Sequence, residues 1–144
     1  MISKSCEYGI KATLFIAQNS QSGQRVSLKE IATAIESPAA FTAKILQTLA
    51  KGNIIDSTKG PNGGFEIKKE QLPKINLKQI VQTIDGNRLF DGCALGLNVC
   101  NEKKPCPLHN DFVLIRNQLN KTLTSSNLLN VSTDLNLGFT VLKR

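Results

Sequence analysis

The chain has 144 residues, of which 40% are hydrophobic and 20% are charged, and its formal net charge is +7. This length suits one domain with its own core, and no apolar run approaches the roughly 20 residues needed to cross a bilayer. The charged N-terminal segment MISKSCEYGIK lacks the apolar stretch of a signal peptide, so we expect a cytoplasmic protein whose positive charge favours a polyanionic partner such as nucleic acid.

Two helices are predicted before residue 37. Apolar residues recur at helical spacing over residues 5 to 19 and predict the first helix. Ser27 followed by Glu30 forms a capping box, because the serine oxygen accepts a free N–H and the carboxylate accepts another. This box predicts a short second helix over residues 28 to 36.

A third helix is predicted in the segment SPAAFTAKILQTLAKGNII. Ser37 and Pro38 suit the helix start. Gly52 suits the position after the helix, where positive φ is common. Two short helices with a tight connection, the second of them basic, are typical of a helix-turn-helix. The predicted buried stripe of the third helix consists of Phe41, Ile45, Leu46 and Leu49.

The hydrophobic period changes after the third helix. The segment IIDSTKGPNGGFEIKK holds two short strand-like runs around GPNGG, where proline and glycine favour a turn. Lys59 lies near the tip of this hairpin, and Lys68 and Lys69 lie at its exit. A hairpin directly after a helix-turn-helix is a wing, whose basic tip can contact phosphates or the minor groove while a helix enters the major groove.

The second half of the chain begins with a predicted helix over residues 76 to 85, for which Asn76 is the cap. Residues 86 to 107 are rich in glycine, asparagine and proline and show no sustained period. A structureless segment of this length in a small domain is usually functional or disordered. The tail, residues 127 to 144, is polar with scattered leucine and valine, and its pattern predicts no element.

A long helix is predicted from Leu108, with a narrow apolar seam that repeats at steps of four and three residues. Such a seam is typical of a helix that pairs with a partner helix, although it could also pack on its own domain. Winged-helix proteins that bind two half-sites need two-fold symmetry, so we expect a homodimer on a pseudo-palindromic operator in double-stranded DNA. The seam consists of Leu108, Phe112, Ile115, Leu119 and Thr122 or Leu123.

The predicted fold is mainly α with a small β-hairpin wing, arranged as a winged helix-turn-helix plus a long dimerisation helix. Residues 1–72 would form the DNA-binding region, residues 73–107 the linking helix and cysteine-rich loop, and residues 108–144 the dimerisation helix and C-terminal tail, all in one compact domain.

The DNA contacts are predicted from the helix-turn-helix and the wing. Thr42 and Lys44 should face away from the apolar stripe, and Ala39 and Ala40 can touch thymine methyl groups. The free N–H groups at the start of a helix can bind phosphate. We expect the helix that begins after Ser27 to contact phosphate in this way. The remaining predicted contacts are Ser27 and Lys29 at that helix start, and Lys59, Asn62 and Gly63 at the wing tip.

Three of the four cysteines and the single histidine lie in CALGLNVCNEKKPCPLH, with the spacing C-x6-C-x5-C-x2-H. Thiolate and imidazole bind zinc, and thiolates hold iron–sulfur clusters, but this spacing matches neither zinc ribbons nor ferredoxins. Clustered cysteines in a reducing compartment are typical of metal binding or redox chemistry. The alternative is three free cysteines and a surface histidine.

Catalysis is not predicted for this segment, because the sequence shows no oxyanion-hole signature and no triad spacing around the cysteine and histidine residues. We expect no enzyme. Cys6 stands apart from the cluster on the first helix, and we interpret it as a small apolar packing residue.

Five segments in this order resemble the iron–sulfur regulators of the IscR and NsrR type, of the Rrf-two family: EYGIKATLFIA, SLKEIA, AAFTAKILQTLAKGNII, STKGPNGGFEI and the three-cysteine loop. The resemblance runs from about residue 3 to residue 125. It implies a dimeric transcription regulator whose DNA affinity changes with the state of an iron–sulfur cluster.

The resemblance also implies a set of cluster ligands. Cys93, Cys100 and Cys106 match the three cysteine ligands of the family. His109 stands where IscR-like members have a histidine as fourth ligand, and with it a [2Fe–2S] centre is expected. Glu7 stands where NsrR-like members use an acidic residue from the other subunit, and with it a [4Fe–4S] centre is expected. We favour His109 and the [2Fe–2S] centre.

The chain departs from the family pattern in two places. The first cysteine gap has six intervening residues, where many members have five. Ala40 and Ala43 stand where IscR-like proteins carry polar side chains that contact bases, which argues against an IscR-like operator. Some family members sense through thiols or a small ligand. A winged-helix regulator with a zinc or thiol-only redox switch, and no iron–sulfur cluster, is therefore the alternative function.

Overall fold

The computed structural model describes residues 2–144 as a mainly helical fold with one antiparallel β-hairpin, which confirms the predicted fold class. The strands β1 (Asp56–Thr58) and β2 (Gly64–Glu66) lie between the third and fourth helices. In the described part of the chain, no helix is both long and apolar enough to cross a membrane. The helices are α1 (Lys4–Ser20), α2 (Leu28–Ala34), α3 (Ala39–Lys51), α4 (Leu77–Asp85), α5 (Arg88–Asp91), α6 (His109–Ser125) and α7 (Leu128–Asn136).

Helix α1 is the central element, since it contacts α2, α3, α4, α7 and β2. Its inward face carries small residues as well as the fully buried Ile16, so neighbouring helices can approach closely. At Gly9, an added Cβ would collide with the Ile84 side chain of α4. Glycine at this position therefore leaves room for the Ile84 side chain against the backbone of α1.

Helices α2 and α3 form the predicted helix-turn-helix. The capping box at α2 is present: the Ser27 Oγ accepts from the Glu30 N–H at 3.1 Å, and the Ser27 N–H donates to the Glu30 carboxylate at 3.2 Å. The predicted serine cap of α3 is wrong, because Pro38 is the N-cap and the helix start has no side-chain cap bond. The hydroxyl of Ser37 is instead buried without a partner among residues 2–144.

Gly52 follows α3 as predicted, but not for the predicted reason. Its φ is −81°, and the positive φ belongs to the next residue, Asn53, at 60°. A Cβ at Gly52 would lie 2.5 Å from Cγ2 of Thr83 on α4. Glycine is therefore required by the close approach of α4 rather than by the backbone conformation.

The wing is joined to the end of α1. Strands β1 and β2 pair antiparallel with Ser57 opposite Phe65. Phe65 also exchanges two backbone hydrogen bonds with Val26, at 3.0 and 2.8 Å, and the Ile67 N–H donates to the Ser20 Oγ at 2.9 Å. These bonds fix the base of the wing to the helical core.

Two helices were not predicted. Helix α5 lies inside the segment that shows no sequence period, and α7 lies in the polar tail. Helix α7 packs along α1, with Leu128 fully buried in the core. The buried Ser132 accepts a hydrogen bond of 2.6 Å from the Gln21 side chain, so a polar residue sits on the inner face of α7.

The junction between α6 and α7 is joined to the chain segment that follows the wing. The Leu77 N–H donates to the Ser126 carbonyl at 3.0 Å, and the Leu128 N–H donates to the Ile75 carbonyl at 2.9 Å. A third bond, from the Leu129 N–H, reaches the carbonyl of Leu72 at 3.0 Å. Backbone hydrogen bonds therefore connect the α6–α7 junction to the segment between the wing and α4.

Candidate functional site

The exposed face of α3 is the candidate recognition surface. Ala39, Ala40 and Lys44 are exposed, as predicted. The prediction for Thr42 is wrong: the residue is fully buried, and its hydroxyl donates to the Pro38 carbonyl at 2.9 Å. The buried stripe of α3 is Thr42, Ile45, Leu46 and Leu49, which follows the i, i+3, i+4, i+7 pattern of a packed helix face.

The buried stripe begins at Thr42 and not at Phe41, which was predicted to begin it. Phe41 is only half-buried and packs edge-on against Tyr8 of α1, with ring centroids 5.5 Å apart. A buried threonine is tolerated here because its hydroxyl bonds within the helix. The exposed face continues through Gln47, Thr48 and Lys51, which the sequence analysis did not name although their helical spacing from Lys44 could have indicated them.

The start of α2 carries the other predicted phosphate contacts. Lys29 is exposed, and Ser27 is half-buried. Because the Ser27 side chain and the Glu30 carboxylate already satisfy N–H groups in the capping box, Ser27 has a structural role of its own. Its contact with phosphate stays a prediction.

The wing tip presents Lys59 and Asn62 to solvent, with Gly63 half-buried beside them. Arg25, which the sequence analysis missed, supports this tip. One N–H of its guanidinium donates to the Asn62 carbonyl at 3.2 Å, and another donates to the Glu66 carboxylate at 3.3 Å. No local motif marks Arg25, because its role depends on a contact between distant parts of the chain.

The cysteine segment, defined here as residues 92–109, connects α5 to α6. Cys100 lies beside the first residue of α6: its sulfur is 3.4 Å from Nδ1 of His109. Arg116, two turns further along α6, donates one N–H to the Cys100 sulfur at 3.4 Å and another to the Gly92 carbonyl at 2.6 Å. Arg116 was not predicted as a site residue, although its seven-residue spacing from His109 puts both side chains on one helix face.

Cys93 and Cys106 form a second pair, in which the two thiols lie near each other. The pKa of the Cys93 thiol is lowered, chiefly by the backbone N–H of Leu95 and then that of Leu97, which stabilise the thiolate, while partial burial opposes the shift. Cys93 is thus held in surroundings that favour its anionic, nucleophilic form.

The predicted ligands are only partly brought together. Across residues 2–144, no group of three or more histidine, cysteine, aspartate or glutamate side chains is arranged to hold a metal ion. The donors form two pairs, Cys100 with His109 and Cys93 with Cys106. Glu7 lies on α1, where its carboxylate pairs with Lys4 at 3.0 Å.

The donor set nevertheless fits an iron–sulfur centre chemically, since three thiols and an imidazole on one segment are suitable ligands. The guanidinium of Arg116 supplies positive charge beside the Cys100 sulfur. The Nε of Arg116 is buried and has no acceptor among the described residues, so it can donate a further hydrogen bond.

Cys6 does not belong to this group. It is fully buried on α1 and packs with Val81 and Leu123, which confirms its prediction as a packing residue. Burial, aided by the nearby Asp85 carboxylate, raises the pKa of its thiol to about 12. The thiol is therefore protonated and inert at neutral pH.

Comparison with known proteins identifies relatives over nearly the whole chain. The family model described as Rrf2, iron-dependent transcriptional regulator, matches residues 2–134. A protein of Aquifex aeolicus named as an HTH-type transcriptional regulator is 29% identical over 136 residues, covering 91% of this chain and 92% of that protein. A protein of Lactococcus lactis with the same kind of name is 26% identical over 147 residues, covering 96% and 93%.

Solved structures share the fold. CymR, the global cysteine regulator of B. subtilis, is 20% identical with a TM-score of 0.74, over 92% of this chain and 96% of that chain. IscR of T. potens is 20% identical with a TM-score of 0.71, over 94% and 88%. The family match confirms the resemblance found in the sequence, and the chain belongs to the Rrf2 family of DNA-binding transcriptional regulators, which are not enzymes.

Proposed function

We propose that the protein is a homodimeric regulator whose affinity for a pseudo-palindromic operator is switched by an iron–sulfur cluster on the cysteine segment. The single observation that carries this proposal is the 3.4 Å contact between the Cys100 sulfur and the His109 imidazole at the start of α6. This contact supports the proposal because it joins a candidate ligand of the cysteine segment to the first residue of α6.

The proposed ligands are Cys93, Cys100, Cys106 and His109, with Glu7 of the partner subunit as the alternative fourth ligand. When bound, the cluster would supply a redox-sensitive link between these side chains, and we favour the [2Fe–2S] form. His109 begins α6, so its engagement would tie the cysteine segment to that helix.

The proposed dimer uses the N-terminal half of the α6 seam. Phe112 and Ile115 are 37% and 50% exposed, and Leu108 is 38% exposed. Leu119 is half-buried and Leu123 is buried, and both pack in their own chain. The exposed half of an apolar seam with steps of four and three residues is suited to a partner helix.

The proposed switch acts through α6. One end of this helix contacts the cysteine segment through His109 and Arg116, and the other end is hydrogen-bonded to the chain after the wing. A ligand that binds one conformation of the segment better would shift the population of dimers whose recognition surfaces match the operator. We propose that these surfaces carry Ala39, Ala40 and Lys44 of α3, Ser27 and Lys29 of α2, and Lys59, Asn62 and Gly63 of the wing.

A second candidate function is a thiol-only or zinc-based switch in the same segment. The lowered pKa of Cys93, next to the Cys106 thiol, favours it, because a thiolate beside a second thiol is readily oxidised to a disulfide. A zinc ion would use the same thiol and imidazole donors.

The test is a count of iron, acid-labile sulfide and zinc per chain on protein purified without oxygen, with a visible absorption spectrum. The proposal predicts a coloured protein with equal iron and sulfide, and two irons per chain for the [2Fe–2S] form. Cys100→Ala should lose the iron, whereas Cys6→Ala should retain it. A colourless, iron-free protein after attempted reconstitution would refute the cluster, and about one zinc per chain would favour the zinc switch.

A further inference from the structure

Arg116 makes two contacts that neither the family match nor the sequence analysis assigns. One N–H of its guanidinium donates to the Gly92 carbonyl at 2.6 Å, and another donates to the Cys100 sulfur at 3.4 Å. Gly92 ends α5 and Cys100 lies eight residues later, so one side chain joins both ends of this stretch. We propose that Arg116 is a positioning residue that holds residues 92–100 closed and places Cys100 against His109.

The guanidinium suits this role because of its shape. It is a rigid planar fork, and it can donate to two acceptors at once with little further loss of side-chain freedom. The two acceptors of Arg116 belong to a carbonyl and a thiol, and none of the ion pairs in the described chain involves this residue. Its charge is therefore directed at the cysteine segment rather than neutralised by a carboxylate.

Burial strengthens these bonds. Arg116 is half-buried, and its Nε is fully shielded from solvent. Charge-assisted hydrogen bonds in shielded surroundings are stronger than those on an open surface. His109 lies on the same face of α6 and contacts the same sulfur, so Cys100 is held from two points of one rigid helix.

The inference rests on the proposed function of the segment as a switch, but it is tested without any cluster. Hydrogen–deuterium exchange of peptides spanning residues 92–100 is measured by mass spectrometry on reduced, metal-free protein. We expect Arg116→Met to speed exchange there about tenfold, because it removes bonds to a charged donor. Exchange in α1 should not change.

Lys121→Met is the matched control. Lys121 also lies on α6 and carries the same charge, but it is exposed. Its replacement should leave exchange of residues 92–100 close to that of the parent protein. Should Arg116→Met fold poorly, Arg116→Lys replaces it. That variant keeps the charge without the planar fork, so it should recover only part of the protection.

A double-mutant cycle with Cys100→Ala separates positioning of the sulfur from general packing. If Arg116 acts through Cys100, Arg116→Met should speed exchange much less in the Cys100→Ala background than in the parent. Equal effects in both backgrounds, or an Arg116→Met protein that exchanges like the parent, would overturn the inference. An iron-free protein would refute the cluster but leave this cycle interpretable, so the two failures are distinguishable.

Discussion

At the scale of single residues, two cysteines of this chain have opposite surroundings. The pKa of Cys93 is lowered, first by the Leu95 N–H, and the Cys106 thiol also contributes. Burial and the Asp85 carboxylate raise the pKa of Cys6 to about 12. Thiol chemistry is thereby directed to the cysteine segment and kept out of the core.

Alkylation of the metal-free protein tests this difference. The midpoint of the pH profile for iodoacetamide labelling at Cys93 should lie at lower pH in the native chain than in the urea-unfolded chain, because the native state favours its thiolate. Cys6 should stay unlabelled in the native chain over the same pH range. Labelling at each site is followed by mass spectrometry, and equal native and unfolded midpoints at Cys93 would contradict the account.

The two thiols also affect stability in opposite pH windows. The lowered native pKa of Cys93 stabilises the fold above its unfolded pKa, and this contribution is lost as the pH falls through the native value. The raised native pKa of Cys6 gives a contribution that is full below its unfolded pKa of about 9.0 and is lost as the pH rises towards about 12. The melting temperature of the parent should therefore fall more steeply with rising pH than that of Cys6→Ala. Thermal denaturation at a series of pH values across this range measures both.

At the scale of elements, α7 links the C-terminal part of the chain to α1. Leu128 begins α7 and is fully buried in the core, whereas the next residue, Leu129, is 36% exposed. Both also donate backbone hydrogen bonds to the segment after the wing. The helix is therefore part of the folded core rather than a loose tail.

Leu128→Ala should lower the free energy of unfolding by about 2–5 kcal/mol, because it leaves a cavity in a packed core. Leu129→Ala is the matched control, and it should cost much less because its side chain is partly in solvent and its backbone bond is retained. Urea denaturation of both variants provides the measurement. Equal losses for the two would show that α7 is not anchored through Leu128.

The sequence predicted those elements whose signals are local. The Ser27–Glu30 box, the turn in the wing and the Asn76 cap of α4 depend on residues within a few positions of one another, and all three are present. Helix α7 was missed because its inner face includes the buried Ser132, whose hydroxyl accepts a hydrogen bond from Gln21 and donates one to the Leu129 carbonyl. Thr42 was placed on the wrong face for a related reason, since its hydroxyl is satisfied within α3.

The candidate site was predicted in composition but not in arrangement. The sequence identified the three cysteines and His109 as one group, whereas their division into two pairs depends on the path of the segment between α5 and α6. Arg25 acts across a long separation in the chain, so no local pattern indicates it. Arg116 also acts across the chain, and its only local signal is its seven-residue spacing from His109 on one face of α6.

At the scale of the whole molecule, the N-terminal half of α6 leaves apolar side chains exposed, and we propose that a second copy covers them. Replacing Ile115, which is 50% exposed, with lysine would place a charge in that interface. We expect Ile115→Lys to weaken dimerisation by at least about thirtyfold, as for a central interface residue. Asn117 lies on the exposed side of α6, so Asn117→Lys should leave dimerisation unchanged. Analytical ultracentrifugation measures both, and an unaffected Ile115→Lys dimer would refute this interface.

The most direct test of the account is whether the state of the cysteine segment sets DNA affinity. Fluorescence anisotropy would measure the Kd of the anaerobic protein for a DNA duplex, before and after the protein is exposed to nitric oxide or air. The duplex would first be selected from a random pool for binding to either form of the protein. We predict a change of at least about fivefold for the parent and for Cys6→Ala, and none for Cys100→Ala. If the parent shows no change, or if Cys93→Ala, Cys100→Ala and Cys106→Ala all respond like the parent, the cysteine segment is not the switch.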